Sequence, residues 1–135
     1  MKVMIDTNIV LDLLLNRKPF VNDAVILFAK AEKNRIKAYI TANAVTDIVY
    51  ILRKAYSLAD IKEHLQKMFA YINVAGITSS DINNALNLDT PDFEDALLMQ
   101  CARRHNIDII VTRNEKDFVN SPVKCININE WARQQ

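Results

Sequence analysis

Apolar and polar positions along the chain separate short strands from amphipathic helices. Lys2 to Ile5 ends in the apolar run Val3-Met4-Ile5 and then breaks into Asp6-Thr7-Asn8, the pattern of a buried strand that stops at a polar edge. Thr7 to about Asn16 is apolar on most sides, with Asn8, Asp12 and Asn16 in one polar line at i, i+4 spacing, so a mostly buried helix is predicted there with Asp12 solvated. Arg17-Lys18-Pro19 makes a basic turn. A second helix is predicted from Val21 to Asn34, carrying Ala24, Ile26, Leu27, Phe28 and Ala31, with Lys30, Lys33, Arg35 and Lys37 toward and beyond its end.

Ala38-Tyr39-Ile40 reads as a short strand, and Thr41 or Asn43 can cap the helix that follows to about Ala55. Ser57 caps another, from Leu58 to about Tyr71, whose apolar side is Ile61, Leu65, Met68 and Phe69; the two are expected to pair as a hairpin. Ile72 to Ala75 is a third strand ended by Gly76, and Thr78 with Asp81 has capping-box spacing for a helix to about Leu88. Thr90-Pro91 supplies an N-cap and a first helical position for a helix through Arg104, since proline's missing N–H costs nothing there. Ile107 to Val111 is a nearly continuous apolar run, Cys125 to Ile128 a last short strand, and Asn129 a cap for a terminal helix containing Trp131. Strands alternating with helices imply right-handed crossovers and a three-layer α/β/α domain around a parallel sheet of four to five short strands.

Composition narrows the partners. The chain has 135 residues, half of them hydrophobic, enough for one domain over residues 1–135 with a core that needs no staples. A net charge of +1 carries no global footprint for nucleic acid, so any such binding rests on local patches. Cys101 and Cys125 have no C-x-x-C or His companion at zinc spacing; they are read as core thiols in a reducing, cytoplasmic compartment. No apolar run reaches the ~20 residues of a membrane helix and no leader precedes Asp6, so no membrane association is expected and the chain is read as full length.

Several carboxylates fall where solvation alone does not account for them. Asp47 sits inside its helix with Asn43, Ala44, Tyr50 and Ile51 as i±3 and i±4 neighbours, on or beside the packing face, where an unpaired charge is costly. Asp95 repeats the pattern in a helix that is otherwise almost wholly apolar from Phe93 to Ala102. A hard divalent cation, Mg²⁺ or Mn²⁺, resolves that cost, because it takes carboxylate oxygens and waters. Asp92 is as well placed to answer the helix dipole as to face such an ion. Asp117, in Arg113-Asn114-Glu115-Lys116-Asp117-Phe118, is equally an ordinary loop acid or a member of the site. Arg113 follows the strand end directly and can contact a phosphate or simply be solvated. Arg53-Lys54 and the Lys30 to Lys37 cluster read as solvated helix ends, and His64 and His105 as surface residues outside any nucleophile-base arrangement.

Three stretches together resemble the PIN domain family (PilT N-terminus-like): Asp6-Thr7-Asn8-Ile9-Val10-Leu11-Asp12, Glu94-Asp95-Ala96-Leu97-Leu98 and Val111-Thr112-Arg113-Asn114-Glu115-Lys116-Asp117-Phe118. The chain is similar in particular to the small bacterial branch related to the VapC toxin ribonucleases, over essentially its whole length. The resemblance implies a PIN-like parallel sheet flanked by helices and an acidic site that holds Mg²⁺ or Mn²⁺ and cleaves RNA phosphodiesters with water. Carried over by position, Asp6 and Asp95 match core metal-binding acids and Asp47 a helical acid. Many relatives have an acid where Asn114 stands, so Asp117 is expected to supply that carboxylate, with Asn114 or Thr112 holding a water or ligand. Many also have glutamate where Asp47 stands, so Asp47 is expected to act through a water.

The resulting expectation is a metal-dependent ribonuclease with Asp6, Asp47, Asp95 and Asp117 as catalytic and metal-binding acids and Asn8, Thr112, Arg113, Asn114 and Asp92 around them. The partners that follow are single-stranded or structured RNA, an antitoxin protein laid across the acidic groove, and a second copy of the chain. A catalytically weak PIN-fold module regulated by a protein partner is the competing reading. A receiver domain is disfavoured because the strand ending in Val74-Ala75-Gly76 lacks an Asp, and an aspartyl phosphatase because Asn8 stands where a second Asp is needed.

Overall fold

The computed structural model describes residues 1–135. The elements run β1 (Lys2–Ile5), α1 (Thr7–Leu14), α2 (Val21–Glu32), β2 (Lys37–Thr41), α3 (Ala42–Leu52), α4 (Leu58–Met68), β3 (Ile72–Ala75), α5 (Ser79–Leu86), α6 (Phe93–Arg104), β4 (Ile109–Thr112), a 3₁₀ turn (Glu115–Asp117), β5 (Cys125–Asn127) and α7 (Ile128–Arg133). All five strands are parallel, in the order β3-β2-β1-β4-β5. From the central strand β1 the chain builds outward through β2 and β3, then returns to β1's other side with β4 and β5. The order therefore reverses between β1 and β4, and a crevice opens at their carboxyl ends.

Period-two alternation sends neighbouring strand residues to opposite layers. Val3, Ile5, Ile109 and Val111 join a core with residues of α1, α2, α3, α4 and α7, while Met4 and Ile110 pack with Leu98, Met99, Cys101 and Ala102 of α6. With α5 against α6 on that second face, the three expected layers are present. Side chains such as Ile5, Ile40, Met99 and Ile110 are almost completely removed from water, each worth about 1.5–3 kcal/mol over exposure. That rigidity holds the strand ends in place.

With a single glycine, the chain turns out of its helices on asparagine. Asn16, Asn34 and Asn106, just beyond α1, α2 and α6, and Asn120 in the β4–β5 loop have φ between 52° and 61°, the left-handed conformation that Asn tolerates best after Gly.

Several local expectations are corrected. The cap of α6 is Asp92, not Thr90: its side chain accepts the N–H of Asp95 at 3.0 Å, and the first helical bond runs from Ala96 N–H to the Asp92 carbonyl, so Pro91 lies before the helix. β4 starts at Ile109, because Ile107 N–H is spent on the Ala102 carbonyl in the turn out of α6. Asn127 rather than Asn129 caps α7, its Oδ1 accepting from Asn129 N–H at 2.9 Å. Thr41 precedes α3 without a side-chain cap. Ser57 and the Thr78/Asp81 capping box form as expected. α3 and α4 touch, yet the most extensive helix–helix packing is α5 with α6.

Asp12 is the largest correction. It is 1% exposed and ion-paired to Arg113, whose Nη2 donates to Oδ1 at 3.2 Å and whose Nε lies 2.8 Å from Oδ2. Arg17 approaches the same carboxylate at 3.6 Å. The helical period predicted a solvated line because it cannot report what the neighbouring strand end brings to that face.

Candidate active site

Asp6 is the last residue before α1 and caps that helix, Oδ1 accepting from Thr7 N–H at 2.8 Å. Its other oxygen accepts from Thr112 Oγ1 at 2.7 Å. β1 and β4 are neighbours in the sheet, so the carboxylate and the hydroxyl that orients it stand together where the strand order reverses. Thr112 Oγ1 in turn accepts from Asn114 N–H at 3.0 Å, which ties the loop after β4 to the same point.

Around Asp6 lies an open cleft of about 470 Å³ lined by acids from four other places: Asp47 of α3, Asp92 before α6, Glu94 and Asp95 in its first turn, and Asp117 at the end of the 3₁₀ turn. Thr7, Asn8, Thr41, Asn43, Tyr50 and Asn114 complete the polar lining, and no Lys, Arg or His is among the lining residues. The electrostatics follow from that imbalance. Burial, then the charges of Asp6, Asp92, Asp117 and Glu94, push the Asp95 carboxyl up to about 7. Burial raises Asp6 as well, against the hydrogen bonds from Thr112 and Thr7 and the charge of Arg113. Glu94 is raised by burial and by Asp47, Asp92 and Asp6. Such a cluster binds protons unless another cation takes their place.

A divalent cation fits by donor type and charge: six carboxylates beside amide and hydroxyl oxygens, with no thiolate or imidazole. No three His, Cys, Asp or Glu side chains meet as a closed ligand cage, which suits an ion such as Mg²⁺ that keeps much of its water.

A PIN domain model matches residues 2–116. The chain belongs to the PIN domain family. Solved structures with the same fold include a toxin-antitoxin complex from Klebsiella pneumoniae, 19% identical over 93% of this chain and 97% of that one, with a TM-score of 0.70. VapBC-1 from nontypeable Haemophilus influenzae is 14% identical over 96% and 99%, at 0.69. Mycobacterium tuberculosis VapC20, described as a sarcin-ricin loop cleaving toxin, is 15% identical over 80% and 86%, at 0.63. At these identities the likeness is one of fold. No curated protein sequence matches the chain.

In this PIN domain the four expected acids Asp6, Asp47, Asp95 and Asp117 line one cleft, together with Asn8, Asn114 and Asp92. Thr112 stands behind Asp6 rather than in the cleft wall. Arg113 is turned away: besides its pairing with Asp12, its guanidinium lies 4.0 Å from the centre of the Phe20 ring, so it is not the free phosphate contact its sequence position allowed. Glu94 is the acid that sequence reasoning passed over, although it stands beside Asp95 and shares its cleft; on an exposed first turn it reads as an ordinary answer to the helix dipole. Tyr50 was passed over too, since an exposed aromatic on a helix has no periodic signal of its own.

Cys101 is buried and Cys125 half-buried, and both are free. Burial pushes the Cys101 thiol up to about 11, which marks it as unreactive packing. No helix is long and apolar enough to cross a membrane.

Proposed function

We propose that the protein is a divalent-metal-dependent ribonuclease that hydrolyses RNA phosphodiester bonds. The observation that carries this reading is the composition of the cleft at the β1/β4 switch point, which gathers Asp6, Asp47, Asp92, Glu94, Asp95 and Asp117 without a single basic side chain. Asp6 and Asp95 hold Mg²⁺ or Mn²⁺, with Asp47, Glu94 and Asp117 contributing directly or through water. When bound, the ion supplies charge neutralisation at phosphorus and an activated water. The chain's own part is orientation: Thr112 and the α1 N-terminus fix the two oxygens of Asp6, the Asp92 cap fixes the first turn of α6 under Glu94 and Asp95, and Asn114 stands near Asp117 to hold water or a substrate oxygen. No side chain is placed as a covalent nucleophile.

The toxin-antitoxin proteins with this fold support the further reading that the chain is the toxin of such a pair, silenced by an antitoxin peptide laid over the acid cleft. A small reading frame overlapping the gene upstream is expected on that reading. The competing reading, a weak or inactive module, draws on the shorter Asp47 and on Asn114 in place of an acid. Both are tested by incubating the purified protein with single-stranded RNA in Mg²⁺, Mn²⁺ or chelator, beside Asp6→Asn and Asp95→Asn. Cleavage that needs the ion and falls at least about 100-fold in each variant is expected, given the usual size of such electrostatic contributions. Equal activity in all three proteins overturns the mechanism, and no cleavage under any condition favours the module.

A further inference from the structure

The wall of the cleft formed by α3 carries more than an acid. Asn43, Asp47 and Tyr50 stand at i, i+4 and i+7, and all three line the cleft. Tyr50 is its only aromatic lining residue and is 70% exposed, an unusual amount of bare ring on a helix whose other face is sealed by Ala44, Ile48 and Leu52. Lys54, one turn further on, holds its Nζ 5.3 Å from the centre of that ring, on one face; a ring has two. Asn43 Oδ1, on the same wall, is buried without a hydrogen-bond partner.

A helix rises about 1.5 Å per residue, so Tyr50 lies about 4.5 Å beyond Asp47 along α3, and Lys54 stands in the turn just past the helix end. The α6 side and the 3₁₀ turn offer Asp92, Glu94 and Asp117 instead, which repel a phosphate. We propose that Tyr50 is the stacking platform for an unpaired base beside the scissile phosphate, with Lys54 meeting a neighbouring phosphate. A base can lie on the ring only when its own face is uncovered, as in a loop or single strand. This inference rests on the ribonuclease reading and names the residues of that site that hold the base and phosphate beside the scissile bond.

The test reads binding and cleavage separately. Fluorescence anisotropy with a labelled oligoribonucleotide, single-stranded or annealed to its complement, is run in Ca²⁺ for the wild type, Tyr50→Leu, Tyr50→Phe and Lys54→Ala; KM and kcat are then measured in Mn²⁺. Tyr50→Leu is expected to weaken single-strand binding about 5- to 150-fold, the usual worth of one stacked base, raising KM with kcat little changed and leaving duplex binding as it was. Tyr50→Phe keeps the wild-type affinity. Lys54→Ala lowers the salt dependence by about one phosphate contact. If Tyr50→Leu binds and cleaves single strands like the wild type, the platform is overturned; if it does so while losing a self-association seen in the wild type, the ring belongs to a protein contact instead. Weakened binding in a protein that cleaves nothing in Mn²⁺ sinks the nuclease reading and leaves the platform standing.

Discussion

The pairing of Asp6 with Thr112 concentrates the site's logic in two residues 106 positions apart. The hydroxyl donates to the buried carboxylate and favours its charged form, against the burial that opposes it. Thr112→Val keeps the shape and removes the donor, at an expected cost of about 1–3 kcal/mol in chemical denaturation because one oxygen of Asp6 is left unsatisfied. Asp95 gives a pH prediction. Its carboxyl is raised from 3.8 to about 7 in the folded chain, so the metal-free fold binds the extra proton; the stability this contributes is complete below pH 3.8 and is lost as pH rises through about 7. In chelator, melting temperature is therefore expected to fall between pH 5 and pH 8 by more in the wild type than in Asp95→Asn, and Asp95→Asn should be the more stable of the two at pH 8. Equal slopes for the two proteins contradict the crowding of acids around Asp95. Asp6 was legible from sequence as a carboxylate ending a strand, and Asp95 as an acid in an apolar helix. The hydroxyl that orients Asp6 was legible only as a neighbour of the motif, since its role depends on β4 lying beside β1.

Elements decide how firmly these residues are held. The loop after β4 is fastened to α1 by the ion pair of Arg113 with Asp12, a carboxylate 1% exposed, with the guanidinium stacked on Phe20. Arg113→Met is expected to destabilise the fold by about 3 kcal/mol, because it strands a buried charge whose remaining partner, Arg17, is 3.6 Å away; the double change with Asp12→Leu should recover most of that loss. A double mutant no more stable than Arg113→Met contradicts the clamp. At the end of the sheet far from β5, Asp81 closes the capping box of α5 and pairs with Arg104 of α6. Burial raises its carboxyl, but the hydrogen bonds from Arg104 and Thr78 outweigh that and leave it lowered. Its contribution is present above the unfolded value of 3.8 and lost as pH falls through the lower folded value, so Asp81→Asn should flatten the acid limb of the stability profile and cost roughly 1–2 kcal/mol near neutrality, the scale of a lost cap. Elements themselves read well from sequence where periodicity was strong, as in α4 with Ser57, and poorly at their ends. Pro91 suggested a helix start two residues early, and Ile107 looked like strand because an apolar residue in a tight turn out of a helix has the same composition as one in a sheet.

For the whole molecule, the parallel order β3-β2-β1-β4-β5 converts acids at residues 6, 47, 92, 94, 95 and 117 into one lining. Alternation of strands and helices made that architecture readable from the chain alone. What it could not convey was which faces of α1 and α3 look into the crevice: Asn8 does and Asp12 does not, though both lie on the same predicted stripe. The charge balance of the cleft is likewise invisible in a net charge of +1, because the basic residues stand elsewhere on the surface. Titration of the protein with Mn²⁺, followed by the loss of free-ion electron paramagnetic resonance signal at pH 8, tests the cation site directly. The wild type is expected to bind Mn²⁺, with affinity weakening as pH falls through about 7 and dropping at least about tenfold in Asp6→Asn and in Asp95→Asn; Mn²⁺ affinity that is absent in the wild type, or unchanged in both variants, would contradict it.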